Sequence, residues 1–130
     1  MLPYAAAGFA GIYWTQVAQR VNARGWDGYL AVSEDDLFFL RAWLGFEELA
    51  RTNDDVGEAV RDLWHDVRFW FRCSIGRELT DVESGRLTVL LAGLWDRLAS
   101  SDPIDADLAQ HIWAGAYSAL REEQSDGAAA

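Results

Sequence analysis

The chain has 130 residues, 51% of them hydrophobic, with seven Trp, six Phe and four Tyr, and carries a formal net charge of −10 at pH 7. That length makes a single domain, which buries about two thirds of the surface of its unfolded chain, and the aromatic load is far above that of a disordered acidic chain. A negative field of this size repels phosphate backbones and anionic headgroups, and every basic residue is Arg, so composition argues against direct nucleic-acid binding and against a membrane surface.

The N-terminal stretch LPYAAAGFAGIYW is apolar but has no basic n-region, and a bilayer span takes about 20 apolar residues, so no signal or membrane segment is expected there. It opens a first helix over 3–24, with Ala10, Trp14, Val17 and Val21 on one face and Gly25 as a left-handed stop. The linker GWDGYLAV follows, with Asp27-Gly28 as a turn signal and Trp26, Tyr29 and Leu30 expected to fold back onto the rest.

Ser33 is the N-cap expected for a second helix reaching Arg51, with Glu34, Asp35 and Asp36 complementing the helix dipole in its first turn. Asn53 caps the third, over 54–74, ending before Gly76. Thr80-Asp-Val-Glu83 has the form of a capping box and opens the fourth, reaching Ser100. In SDPID, Asp102 is the expected cap of the fifth helix, with Pro103 at its first position. That helix stops near Glu123. No strand-like alternation of useful length occurs, so the expected fold is all-α: a single-domain bundle of about five helices with up-and-down connectivity over residues 1–123, and a disordered tail over 124–130.

Residues 63–73, LWHDVRFWFRC, resemble chemistry more than any other stretch. On a helical wheel Val56, Val60, Leu63, Trp64, Val67, Trp70 and Phe71 share one broad face, the expected core side, and His65 falls nearly opposite among Glu58, Arg61, Asp62, Arg68 and Arg72. Cys73 lies about 12 Å from His65 along the axis at about 1.5 Å per residue, so the two cannot act as nucleophile and base. His111 shares a stripe with Asp107 and Ser118, but Ser118 is about 10 Å along the helix, too far for a triad in which successive members must touch. Asp62 with His65 has the spacing of a carboxylate–histidine metal pair, yet the wheel turns both away from the interior where such a metal would sit. No Gly-rich phosphate loop, zinc spacing or nucleophile elbow is present, and no cofactor or metal is expected.

The second helix is apolar on both sides. Phe39, Trp43, Phe46 and Ala50 form one stripe, while Leu37, Leu40 and Leu44 line the other beside Arg41, Glu48 and Arg51. Either the first helix or the WDGYL linker covers that second stripe, or it is kept for a partner. Phe69, in the middle of the polar face of the third helix beside His65 and Arg72, has the aromatic–arginine chemistry of binding hot spots. Leu87, Leu91, Leu94 and Leu98 read as the core face of the fourth helix. The carboxylates gather at helix starts, where the dipole favours them; Glu34, Asp35, Asp36, Asp81 and Glu83 are the candidates for an acidic patch toward a basic partner.

These features lead to the expectation of a cytoplasmic, non-enzymatic protein that binds another protein or a second copy of itself through Leu37, Leu40, Leu44 and Arg41, or through His65, Phe69 and Arg72. A regulator, inhibitor or immunity-type protein of phage or mobile-element kind suits the size and charge, as does an acidic mimic that occupies a partner's nucleic-acid-binding surface. The alternative is a bundle that binds a small molecule or metal, or an enzyme, using His65, Asp62 and Arg61 or the Asp107/His111 pair.

Overall fold

The computed structural model describes the backbone of residues 2–129 and the side-chain surroundings of Gly8 and residues 11–122. Among the described residues the chain is all-α, as expected, with five α-helices and no strand: α1 (Leu2–Arg24), α2 (Glu34–Ala50), α3 (Asp54–Ile75), α4 (Asp81–Leu98) and α5 (Ala106–Ala129), with a 3-10 segment, η1 (Gly25–Tyr29), after α1. Helix α3 packs on α2, α1 and α4, and α5 packs on α4, η1 and α3.

Local chemistry sets most of the boundaries. The Ser33 hydroxyl accepts from the Asp36 N–H at 3.0 Å while the Asp36 carboxylate reaches back to the Ser33 N–H. Thr80 and Glu83 form the same reciprocal box at the start of α4, and the Asn53 side chain accepts from the Val56 N–H at 3.1 Å. Each such cap satisfies donors that the first turn leaves orphaned and contributes about 1 kcal/mol. Gly25 and Gly76 have φ of 70° and 89°, the left-handed conformation that glycine adopts without a Cβ penalty, and they end α1 and α3.

Two boundaries differ from expectation. Asp105, not Asp102, caps α5: its carboxylate accepts from the Asp107 N–H at 2.9 Å and its carbonyl from the Ala109 N–H. Pro103 therefore lies in the connection, because Ile104 packs against the core and its N–H bonds to the Arg97 carbonyl, which holds the chain out of the helix for that stretch. At the other end α5 runs past Glu123 to Ala129.

Fully buried Tyr13, Tyr29, Trp43, Phe71, Trp95 and Trp113 dominate the interior. Rings of this size bury about 150–250 Å² each, or about 4–6 kcal/mol apiece before the cost of ordering them. Trp14 and Val17 are buried on α1 as expected, with Tyr13 added to that face; the Ala10 side chain lies outside the described residues. Val56, Val67 and Phe71 of α3 are buried, as are Leu87, Leu91, Leu94 and Leu98 of α4.

The WDGYL linker does fold back, and its carbonyls explain how. The Trp26 indole N–H donates to the Trp113 carbonyl at 2.7 Å, the Trp113 indole donates to the Trp26 carbonyl at 2.8 Å, and the two rings stack at 4.3 Å. The Trp95 indole donates to the Tyr29 carbonyl at 2.8 Å. A buried 3-10 segment would otherwise strand these carbonyls, and indoles from α4 and α5 satisfy them. Arg20 completes the anchorage, bonding the Gly28 carbonyl at 3.0 Å and pairing with Asp36 at 3.0 Å.

Candidate interaction surfaces

Two grooves carry the charged and aromatic residues that the sequence singled out. In α3, His65, Arg68, Phe69 and Arg72 recur at i, i+3, i+4 and i+7, so they form one outward stripe. Gly76 then reverses the chain, and the segment RELT carries Glu78 and Leu79 back beside that stripe before α4 starts at Asp81. The result is a groove of about 270 Å³ lined by His65, Arg68, Phe69, Arg72, Glu78, Leu79, Asp81 and Ser84. Phe69 is 54% exposed. The Arg72 guanidinium lies 4.7 Å from the centre of its ring and bonds both oxygens of Glu78, at 2.8 and 3.1 Å.

The Arg72–Glu78 pair is weakly held, because the Glu78 side chain is 82% exposed, and exposed ion pairs contribute about 0–1 kcal/mol. Arg72 is thus fixed over the ring yet exchangeable toward another carboxylate. His65 and Arg68 are exposed on one wall and Asp81 on the other, so the groove offers an apolar centre with charges of both signs at its rim.

The second groove, about 430 Å³, lies at the first turns of α2 and is lined by Glu34, Asp35, Leu37, Phe38 and Arg41. Here the expected apolar stripe needs correction. Leu40 is 0% exposed and belongs to the core with Trp43, and Leu37 and Leu44 are half-buried against that core, so Leu37, Leu40 and Leu44 do not form an open face. The apolar side chain that α2 turns outward is Phe38, 67% exposed, with its ring edge-on to Phe39. The FFL run hid this, since a one-residue change of phase moves a side chain by about 100° around the helix.

The acidic candidates divide in the same way. Glu34, Asp35 and Asp81 are exposed and line the grooves. Asp36 and Glu83 are already engaged. Burial raises the Asp36 carboxyl, but the Arg20 guanidinium and the bonds from Val32 and Ser33 outweigh it and hold it below the ordinary carboxylate range. Glu83 is bonded by Arg77 and by the Thr80 N–H, which draw it down to about 2. These two are therefore removed from the free acidic patch.

The residues of the alternative reading lie at the surface. Asp62, Arg61, Asp107 and His111 are exposed, and Cys73 is an exposed free thiol. Among the described residues no group of three His, Cys, Asp or Glu side chains is placed to hold a metal ion, and no helix is long and apolar enough to cross a membrane. Arg68, Glu78, Leu79, Ser84 and Phe38 are the groove residues that sequence reasoning missed. Leu79 and Glu78 had no periodic signal because they enter from a turn whose position only the fold decides. No protein-family model, curated protein or solved structure matches the chain.

Proposed function

We propose that the chain is a non-enzymatic binding protein that engages another protein through the α3–α4 groove, with Phe69 as its anchor. The observation that carries this reading is the Phe69–Arg72 arrangement: an aromatic ring more than half exposed, held beneath a guanidinium whose present carboxylate partner is itself solvated. Binding energy in protein interfaces concentrates on such aromatic and arginine side chains, and both are pre-positioned, which reduces the ordering cost of association. The net charge of −10 favours a partner with a basic surface around the apolar contact. A small regulator or inhibitor that seats on such a surface suits these properties.

A photo-crosslinking amino acid placed at Phe69, compared with the same group at exposed Val89 on the outer face of α4, tests the reading in native host cells. A discrete adduct at position 69 that is absent at 89, and that disappears when Arg72→Glu is added, is the expected result. Adducts that are absent or equal at both positions would remove the groove as a binding surface. Light scattering of the same purified chain separates a self-adduct from one with a different protein.

A further inference from the structure

A third groove, between the C-terminal half of α1 and α3, has a different character. Its cavity is about 360 Å³, and no Asp, Glu, Arg or His is among its lining residues. The two grooves described above contain arginine and carboxylates, as expected of a chain that is 25% charged, and this one differs from them in having neither. Ala18 and Val21 of α1 and the half-buried Trp70 ring of α3 give it apolar walls.

Its polar edge is specific. Tyr29 is 0% exposed as a residue, yet it lines the groove, and its hydroxyl lies 3.2 Å from the Ser74 hydroxyl. Burial pushes the Tyr29 hydroxyl up to about 12, so it keeps its proton at neutral pH. Two hydroxyls own two hydrogens, and the bond between them uses one. Neither makes another hydrogen bond among the described residues. With the buried Tyr29 hydroxyl donating to Ser74, the part-exposed Ser74 O–H remains to be offered to an acceptor at the groove.

We propose that this groove is a binding site for a small, flat, uncharged aromatic compound bearing a carbonyl: the aromatic ring lies against Trp70 and Val21, and the carbonyl oxygen accepts the spare hydrogen of the Tyr29–Ser74 pair. The volume falls near the lower end of the range for ligand sites, about 300–1,000 Å³, which limits the occupant to one or two rings. A charged ligand would lose hydration and find no counter-ion among the lining residues, and an anion would also meet the field of the net charge. The site is separate from the Phe69 groove and does not depend on that groove's role.

Cys73 stands at the rim of the groove and is exposed, so it serves as a reporter. N-phenylmaleimide carries both an aromatic ring and carbonyls; N-methylmaleimide keeps the imide ring and its carbonyls but lacks the aromatic ring. With either reagent the thiol sulfur forms an S–C bond to one alkene carbon and a proton passes to the other, with no leaving group. Rates at pH 7 are compared as the phenyl/methyl ratio, normalised to N-acetylcysteine. Occupancy before reaction should make the N-phenylmaleimide rate saturable and raise that ratio about tenfold through effective concentration, and benzamide, which cannot react, should slow it competitively.

Ser74→Ala should lower the ratio severalfold. Ala18→Trp, which fills the groove, should return it to the free-thiol value while the N-methylmaleimide rate is kept. A linear rate with the free-thiol ratio and no effect of benzamide would overturn the proposal. A raised ratio that survives both substitutions would also overturn it, since the acceleration would then arise elsewhere.

Discussion

Gly28 has no Cβ because the Arg20 backbone occupies the space where one would go: an added methyl would overlap the Arg20 carbonyl. This is backbone against backbone and cannot relax by a rotamer change, so Gly28→Ala should cost about 3 kcal/mol through over-packing, seen as a lower urea midpoint at unchanged slope. Gly93, exposed in α4 with nothing near its Cβ position, should show the opposite: Gly93→Ala should gain up to about 1 kcal/mol from helix propensity. The charge of Glu47 works against the fold. Burial raises its carboxyl above the ordinary value of 4.5, although the Trp64 and Trp43 indoles and Arg51 pull it down and Asp96 adds to the rise. The folded chain therefore holds this proton to higher pH than the unfolded chain does. Its contribution to stability is complete below 4.5 and is lost as pH rises through the raised value. Glu83 has the reverse sign: drawn down from 4.5 to about 2, it contributes above 4.5 and loses that contribution as pH falls toward 2. Glu47→Gln keeps an oxygen for the Trp64 N–H, bonded at 3.0 Å, and removes the charge. Denaturation across pH 2–8 should show an unchanged acid limb, no decline above pH 4.5 from this site, and stability at pH 7 no lower than that of the unsubstituted chain.

At the level of elements, the caps were readable because they are local. Ser33, Asn53 and Thr80 lie three residues before the N–H groups they accept from, and Gly25 and Gly76 end helices by a backbone preference of their own. Asp102 carried the local signal, with Pro103 directly after it, and was overridden at long range by Ile104 packing into the core. The consequence can be measured. Asp105→Ala should cost about 1 kcal/mol by removing the cap of α5. Asp102→Ala should cost only a few tenths, since its carboxylate makes just a 3.9 Å pair with Arg97, 97% exposed on the Asp side, and its carbonyl bond to Arg97 survives the substitution. Equal losses would mean that Pro103 enters the helix after all. The outward face of α2 was obscured for the same kind of reason: an apolar run on both sides of a helix does not declare its phase until its neighbours are in place, and these put Leu40 inside and Phe38 outside. In α3 the polar face was clear from the wheel, so His65, Phe69 and Arg72 were found, whereas Glu78 and Leu79, on the opposite wall of their groove, were not.

In the molecule as a whole, η1 joins elements that are far apart in the chain. Its Trp26 exchanges two hydrogen bonds with Trp113 of α5, its Tyr29 carbonyl is held by Trp95 of α4, and Arg20 ties its backbone to α1. By contrast α2 packs chiefly on α3, and α3 on α1, without passing through η1. Helix α5 thus depends on the linker in a way that α2 does not, while α3 meets it through the Phe71 ring and the Ser74 hydroxyl near its C-terminal end. Two further bonds hold it at its C-terminal half: Arg121 donates to the Ile75 carbonyl at 3.1 Å, and Arg77 to the Leu120 carbonyl at 3.3 Å. Trp26→Ala deletes the stacked ring and one of the reciprocal bonds, a change expected to cost about 3–5 kcal/mol. It should fall unevenly. Native-state hydrogen exchange should show amides of α5 from Ala109 to Ala116 losing protection by several orders of magnitude, while amides of α3 from Val60 to Val67 lose markedly less, because opening α5 alone then breaks one indole–carbonyl bond and no ring stack. A uniform loss across both helices would mean instead that the bundle opens as one cooperative unit and that η1 is ordinary core.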